Sequence, residues 1–290
     1  MKAALHALGS LARSAVHQAR IWRYLSSGRR PWTPGYHEYR ERYLARILAD
    51  PASARHFEGS APLPEHFGYR LDARTVEIPW VLSRISAAPG KFLDGGSSLN
   101  RKAALERLAR KSVTIINLSP EPECHWRMGV SYVFGDLRAM PFADEYFDEI
   151  TCISTIEHVG MDNTMYRARA AAEERPRDSF LPAVREFRRV LRRGGRLLVT
   201  FPFGRYEDHG WFRQFDAALT DRLVSEFSPA ALDEAVFRYA PEGWQRSDRG
   251  ACAECEFFDV HAAGGSRDSR PVAPDFAAGE RAVMCLELTK

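Results

Sequence analysis

Apolar positions change their period along the chain. Over the first 85 residues they recur at helical spacing. Leu5, Leu8, Leu11, Val16, Ile21, Trp22 and Leu25 mark a first helix, and Tyr39, Tyr43, Leu44 and Ile47 a second over residues 36–48. Pro31-Trp32-Thr33-Pro34-Gly35 separates them, and Asp50-Pro51 ends the second. Residues 51–72 carry Pro51, Gly59, Pro62, Pro64 and Gly68 and read as a loop or short lid. An apolar helix is expected over 75–85. From Phe92 onward short apolar runs alternate with amphipathic stretches. Strands are expected at 92–93, 113–116, 132–134, 147–153 and 196–201. Helices are expected over 101–110 and 178–193. The second of these buries Leu181, Val184, Phe187, Val190 and Leu191 and is stopped by Gly194-Gly195. The tail reads as a helix over 220–227 and strands at 235–239, 256–260 and 282–288. Residues 262–280, rich in Ala, Gly, Ser, Arg and Pro, read as an exposed loop.

Strands alternating with helices imply an α/β fold, a parallel sheet covered on both faces, and the tail strands would add an antiparallel edge. Such sheets bind ligands at the carboxyl ends of their strands. Those ends carry Asp94-Gly95-Gly96, then Asn117 with Ser119, Glu121 and Glu123, then Gly135-Asp136-Leu137, then Ser154-Thr155-Ile156-Glu157-His158, then Pro202-Phe203-Gly204. Residues 91–100 organise the rest: a strand runs into a turn of small residues and opens a helix, whose free N–H groups face any ligand there. A dinucleotide would ask for G-x-G-x-x-G, which is absent. S-adenosylmethionine, lacking a phosphate, accepts a looser turn. The stretch taken alone also fits an ordinary strand-turn-helix connection.

Composition narrows the field. The chain has 290 residues, 45% hydrophobic, with a net charge of +3. That charge is too small to imply a nucleic-acid binder. No apolar run reaches the about 18 residues of a membrane span. Five scattered cysteines argue against a disulfide framework and for a reducing, cytoplasmic setting. Residues 1–37 hold Lys2, Arg13, Arg20, Arg23, Arg29 and Arg30 and no acid. They read as a helix packed on the domain, a basic amphipathic helix on an anionic inner membrane surface, or a transit peptide.

From about residue 91 to 204 the chain resembles the class I S-adenosylmethionine-dependent methyltransferases. Phe92-Leu93-Asp94-Gly95-Gly96 is similar to the family's acid-bearing glycine turn. Residues 135–142 with 147–150 are similar to its adenine-side motif and fourth strand, and residues 185–198 to its last helix, Gly-Gly turn and fifth strand. The resemblance implies a Rossmann-like seven-stranded sheet, mostly parallel with an antiparallel C-terminal hairpin and helices on both faces. Residues 1–72 would be a basic helical extension and lid, and 73–290 the cofactor-binding domain, with 205–280 an acceptor-side insertion. It implies S-adenosyl-L-methionine as cofactor. Gly95, Gly96 and Ser98 would form the turn, and Asp94 would hold the cofactor's ammonium. Asn117 stands where the family has the acid that accepts from the ribose. Asp136 would accept from the adenine amino group, with the Leu137 N–H facing the ring and Ser154 near the methyl.

Methyl transfer needs a nucleophile behind the methyl group and sometimes a base. His158, with a pKa ordinarily near neutrality, is the first candidate beside Glu157, and His209 is the second. Glu157 and His158 also fit a role in shaping the pocket and pairing with backbone. Aromatic groups at Trp211, Phe212, Phe215, Tyr239 and Trp244 could wall an acceptor or form the core of the tail. A single C-x-x-C at Cys252 and Cys255 is a weak zinc signal, so no metal is expected. Residues 154–161 and the loop around Trp211 resemble methyltransferases of bacterial surface-polysaccharide assembly. This implies a hydroxyl of a sugar, glycan or glycolipid as acceptor and peripheral membrane contact through residues 1–30. A small-molecule or lipid O-methyltransferase, and a catalytically silent binding or scaffold protein, remain alternatives. The oligomeric state is not legible.

Overall fold

A computed structural model describes residues 2–59, 61–164, 176–260 and 271–290, with side chains from residue 14 onward. Four helices precede the sheet: α1 (Lys2–Ser26), α2 (Tyr36–Ala49), α3 (Pro51–Glu58) and α4 (Arg74–Arg84). The strands are β1 (Gly90–Gly95), β2 (Lys111–Asn117), β3 (Ser131–Phe134), β4 (Phe147–Ile153) and β5 (Leu191–Pro202). Between them lie α5 (Lys102–Arg107) and α6 (Leu181–Val190). The tail adds β6 (Glu207–Asp208), β7 (Arg213–Gln214), α7 (Ala217–Phe227), β8 (Ala231–Ala240), β9 (Gly243–Ser247), α8 (Arg249–Cys252) and β10 (Ala282–Thr289).

The main sheet has eight strands in the order β3-β2-β1-β4-β5-β10-β8-β9. β1 to β5 pair in parallel. β10 inserts antiparallel between β5 and β8, and β8 and β9 form the antiparallel hairpin. The sequence placed the extra strand at 256–260, but the segment that pairs is Gly243–Ser247. Trp244 fixes it there, buried to 1% exposure, with its indole N–H donating to the Leu71 carbonyl at 2.9 Å.

Two buried clusters cover the sheet. α2, α3 and α4 join Phe92, Ile115, Ile153, Phe237 and Val283 on one face. α6 and α7 join Leu93, Ile116, Ile150, Val199 and Met284 on the other. Residues 21–71 therefore contribute a layer of the same core: Tyr24, Tyr36 and Phe57 are fully buried. The boundary at residue 72 divides nothing in that core. The expected lid over 51–72 begins instead with α3, started by Pro51 and capped by the Asp50 carboxylate, which accepts from the Ala52 N–H.

Two further expectations are corrected. α6 ends at Val190, not at the glycine pair, because Leu191 turns extended and pairs with Phe147. Residues 192–195 then bulge opposite Asp148 before pairing resumes at Arg196 with Glu149. A Cβ on Gly195 would lie 2.8 Å from the Asp148 carbonyl, so that bulge needs glycine. In the expected exposed loop, Ala273, Ala277 and Ala278 are buried; residues 262–270 lie outside the described residues.

Candidate functional site

Parallel pairing brings the ends of β1, β2, β3 and β4 to one edge. A cavity of about 390 Å³ opens there. Of the expected residues, Gly96, Ser98, Asn117, Asp136, Leu137, Ser154 and His158 line it; Asp94, Gly95, Glu157 and His209 do not.

The turn after β1 is held tightly. Gly96 takes φ of 104°, and a Cβ there would meet Thr155 Oγ1 at 2.1 Å. Only glycine leaves the backbone open at this point. Ser98 Oγ donates to the Ile153 carbonyl at 2.7 Å, tying the turn to the end of β4. Asp94 sits beneath the turn, fully buried. Its carboxylate accepts from the Leu99 N–H at 2.8 Å and the Thr151 hydroxyl at 3.3 Å. Burial pushes its pKa up to about 6. Asp94 thus braces the turn from below and does not itself line the cavity. Gly95 lies against the Phe187 ring, which a Cβ would approach to 3.1 Å.

On the neighbouring strand end, Asn117 Nδ2 donates to Glu121 Oε1 at 2.6 Å. Asn100 Nδ2 donates to the other oxygen of Glu121 at 3.3 Å. Glu121 also lines the cavity, so a carboxylate stands beside position 117 after all, supplied from four residues on. At the β3 end, burial raises the Asp136 pKa, but hydrogen bonds from Arg138 outweigh it and hold the carboxyl below its usual range.

The β4 end is shaped from α4. Ser154 adopts φ of 35°, uncommon for a residue with a side chain. Its N–H donates to the Thr200 carbonyl at 2.9 Å and its hydroxyl bonds to Glu77 Oε1. Glu77 also accepts from Thr200 Oγ1 at 2.7 Å and pairs with Arg74 at 2.8 Å. Arg74, which lines the cavity, donates to the Ser154 carbonyl at 3.3 Å. Nothing in the sequence marked Arg74 and Glu77, because their partners at the β4 and β5 ends lie 77 to 123 residues away. Their only local sign is a charged pair on an otherwise apolar helix.

His158 Nδ1 lies 3.0 Å from the Trp211 carbonyl. A carbonyl only accepts, so Nδ1 carries the proton and Nε2 keeps its lone pair when the ring is neutral. Burial pushes the His158 pKa down to about 4, correcting the near-neutral value expected from sequence. Nε2 lies 3.8 Å from Glu157 Oε1. Burial also raises the Glu157 pKa well above the carboxylate range, and its Oε2 finds no hydrogen-bond partner among the described residues. Glu157 stands behind His158 rather than in the cavity.

His209 lies outside the cavity lining. Its Nε2 meets Glu207 at 3.1 Å, its Nδ1 meets Asp259 at 3.5 Å, and its ring stacks on Phe212 at 4.5 Å. Those contacts brace the loop after β5. The aromatic residues divide: Phe215, Tyr239 and Trp244 are core, whereas Trp211 lies 5.2 Å from the His158 ring. No group of three or more His, Cys, Asp or Glu among the described residues could hold a metal ion.

Residues 94–199 match the family model Methyltransf_11, described as a methyltransferase domain. No curated protein matches the chain. A S-adenosylmethionine-dependent methyltransferase from Thermotoga maritima is similar at 15% identity, covering 86% of this chain and 99% of that one, with a TM-score of 0.44. The 1,6-didemethyltoxoflavin-N1-methyltransferase of Burkholderia thailandensis, with bound 1,6-didemethyltoxoflavin and S-adenosylhomocysteine, is similar at 14%, covering 88% and 90%, with a TM-score of 0.44. The cyclase SpnF is similar at 22%, with a TM-score of 0.36; the match covers 51% of this chain and spans about half, 54%, of that one.

Proposed function

Residues 94–199 form a S-adenosylmethionine-dependent methyltransferase domain, and from that premise we propose that the chain methylates a hydroxyl group of a sugar, glycan or glycolipid. The observation that carries the proposal is His158: an imidazole at the cavity wall, neutral through the physiological range, with its Nδ1–H held by the Trp211 carbonyl.

The cavity fits the cofactor on the chain's own terms. The Gly96 backbone is kept open where a Cβ would collide, and polar groups from four strand ends surround that opening. Gly96 and Ser98 would hold the amino-acid end. Asn117 and Glu121 would hold the ribose hydroxyls, with the carboxylate accepting. Asp136, ionised, would accept from the adenine amino group beside Leu137. S-adenosylmethionine supplies an electrophilic methyl group when bound. His158 orients the acceptor hydroxyl and takes its proton at Nε2 as the nucleophile forms. A base of such low pKa takes that proton late, in concert with methyl transfer. Trp211 suits the apolar face of a sugar, and Asn163 at the cavity wall suits its hydroxyls.

Peripheral membrane contact belongs to the same proposal. On α1, Trp22 is 71% exposed and Val16 53%, beside exposed Arg20 and Arg23. Among the described residues no helix is long and apolar enough to cross a membrane. Ile21 and Tyr24 belong to the core, so removing residues 1–30 would damage the fold. Trp22→Glu is the cleaner test: it should weaken binding to anionic vesicles, and unchanged binding refutes the contact.

The acceptor is tested by S-adenosylhomocysteine release across sugars, nucleotide sugars and glycolipids. Release should require a free hydroxyl and stop with the matching deoxy compound. Turnover on amines or carboxylates alone would overturn the acceptor class. Cofactor binding without turnover on any acceptor would favour the silent binding protein.

A further inference from the structure

The Cys252-Ala253-Glu254-Cys255 motif takes no part in the proposed reaction. Both thiols are free and buried. Cys252 ends α8, and the Cys255 N–H donates to the Cys252 carbonyl at 3.0 Å. A turn closed in this way brings its end Cα atoms within about 7 Å, which is the separation a disulfide spans. Cys252 Sγ meets Ser247 Oγ at 3.3 Å.

The two cysteines are not equivalent. Cys252 is fully buried, whereas Cys255 lines a second cavity, of about 540 Å³, whose charged residues are Arg238, Arg246 and Arg281 with Glu254, Glu256 and Asp275. The hydrogen bond from Cys252 and the neighbouring Arg238 guanidinium favour the thiolate at Cys255 against the opposing effect of burial. The same bond and burial keep Cys252 protonated. One thiol is thus reachable and nucleophilic, and the other is enclosed directly behind it.

We propose that Cys252 and Cys255 form a redox-active dithiol, in which Cys255 exchanges with a small disulfide of the glutathione type, bearing both ammonium and carboxylate groups, through this cavity of mixed charge and Cys252 resolves the product. The Cys255 thiolate attacks one sulfur of the small disulfide. A new S–S bond forms, the old one breaks, and one thiolate leaves. Cys252 then releases its proton to solvent and attacks Cys255 Sγ, expelling the second thiolate. The protein gives up two electrons and two protons, and the oxidant becomes two thiols.

The site sits at the foot of the acceptor-side loop. The Cys255 carbonyl accepts from the Arg205 N–H at 3.0 Å and from Gln214 Nε2 at 2.7 Å, gripping both ends of residues 205–214. A Cβ on Gly204 would lie 2.1 Å from that oxygen. Trp211, whose carbonyl fixes His158, rides on this loop.

The test exposes the full chain to excess glutathione disulfide, quenches by alkylation and maps the peptides by mass. The peptide holding both cysteines should lose two hydrogens and resist alkylation until reduced. Cys252→Ser should retain a glutathione adduct on Cys255. The wild-type measurement needs no variant, so it stands whether or not the substituted chain folds. Full alkylation of both wild-type cysteines, under oxidant that modifies the exposed Cys124, overturns the proposal.

Discussion

The Gly96 side of the cavity combines contacts between near neighbours with ties to the end of β4, where Ser98 reaches Ile153, whereas the His158 side is fixed from other layers of the fold. Around Gly96, the Asp94 carboxylate reaches Leu99, five residues on, and Asn117 reaches Glu121, four residues on. Around His158, the ring depends on Trp211, 53 residues away, and the preceding Ser154 depends on Glu77, 77 residues away. The turn after β1 therefore keeps part of its shape from its own segment, while the setting of His158 is contingent on the loop after β5.

The largest effect should come from Gly96→Val, which tests the cofactor side alone. The substituted residue meets both the strained φ of 104° and the Thr155 side chain. S-adenosylhomocysteine affinity should fall about a hundredfold or more, equivalent to about 3 kcal/mol, as read by calorimetric titration. Near-normal affinity would mean that the ligand does not approach this turn.

His158→Ala should separate the two sides. The rate of methyl transfer should drop about a hundredfold, while S-adenosylhomocysteine affinity stays within about twofold. The pH profile carries the same argument. With a pKa near 4, His158 is neutral at every pH above that value, so activity should persist to about pH 5 rather than fall away near 6.5. The unfolded chain binds this proton from about 6.5 downward, and the folded ring only near 4. Its contribution to stability is therefore present above 6.5 and lost as pH falls between those values. An acid limb near 6.5 that disappears in His158→Ala would contradict the buried, neutral ring.

A smaller effect is expected at Glu121→Gln, which removes the carboxylate from the Asn117 pair. Cofactor affinity should fall about tenfold, as for loss of a charge-assisted hydrogen bond. Asn117→Asp should not strengthen binding, because it would set a second carboxylate where Asn117 now donates to Glu121 at 2.6 Å. A gain in affinity there would show that Glu121 does not serve the ribose.

Asp94→Asn should have the smallest effect. The amide oxygen can still accept from the Leu99 N–H, and Thr151 can turn its hydroxyl to accept. Because burial raises the Asp94 pKa to about 6, the carboxyl's contribution to stability is present below its unfolded value near 3.8 and lost as pH rises through 6. The neutral amide should therefore melt no lower than wild type at pH 7, with cofactor affinity within about threefold. A loss as large as that of Gly96→Val would return Asp94 to direct ligand contact.

The same division explains what could be read from the chain. The five parallel strands were legible because apolar runs ending in small or polar residues are local signals, and 147–153 coincides with β4 (Phe147–Ile153). Gly96, Asn117, Asp136 and Ser154 were legible as strand-end positions. The bonds of Asp94 to its own turn were hidden because sequence does not say which way a strand-end carboxylate faces. Arg74, Glu77 and the pinning of His158 were hidden because each depends on a partner from another layer. β9 was missed because Trp244 is held by Leu71, 173 residues away, not by its neighbours.

The most direct test of the central claim is a calorimetric titration of the full chain with S-adenosylhomocysteine. Saturable binding at a single site is expected, abolished by Gly96→Val and preserved in His158→Ala. No detectable binding by the wild-type chain at millimolar ligand would contradict it.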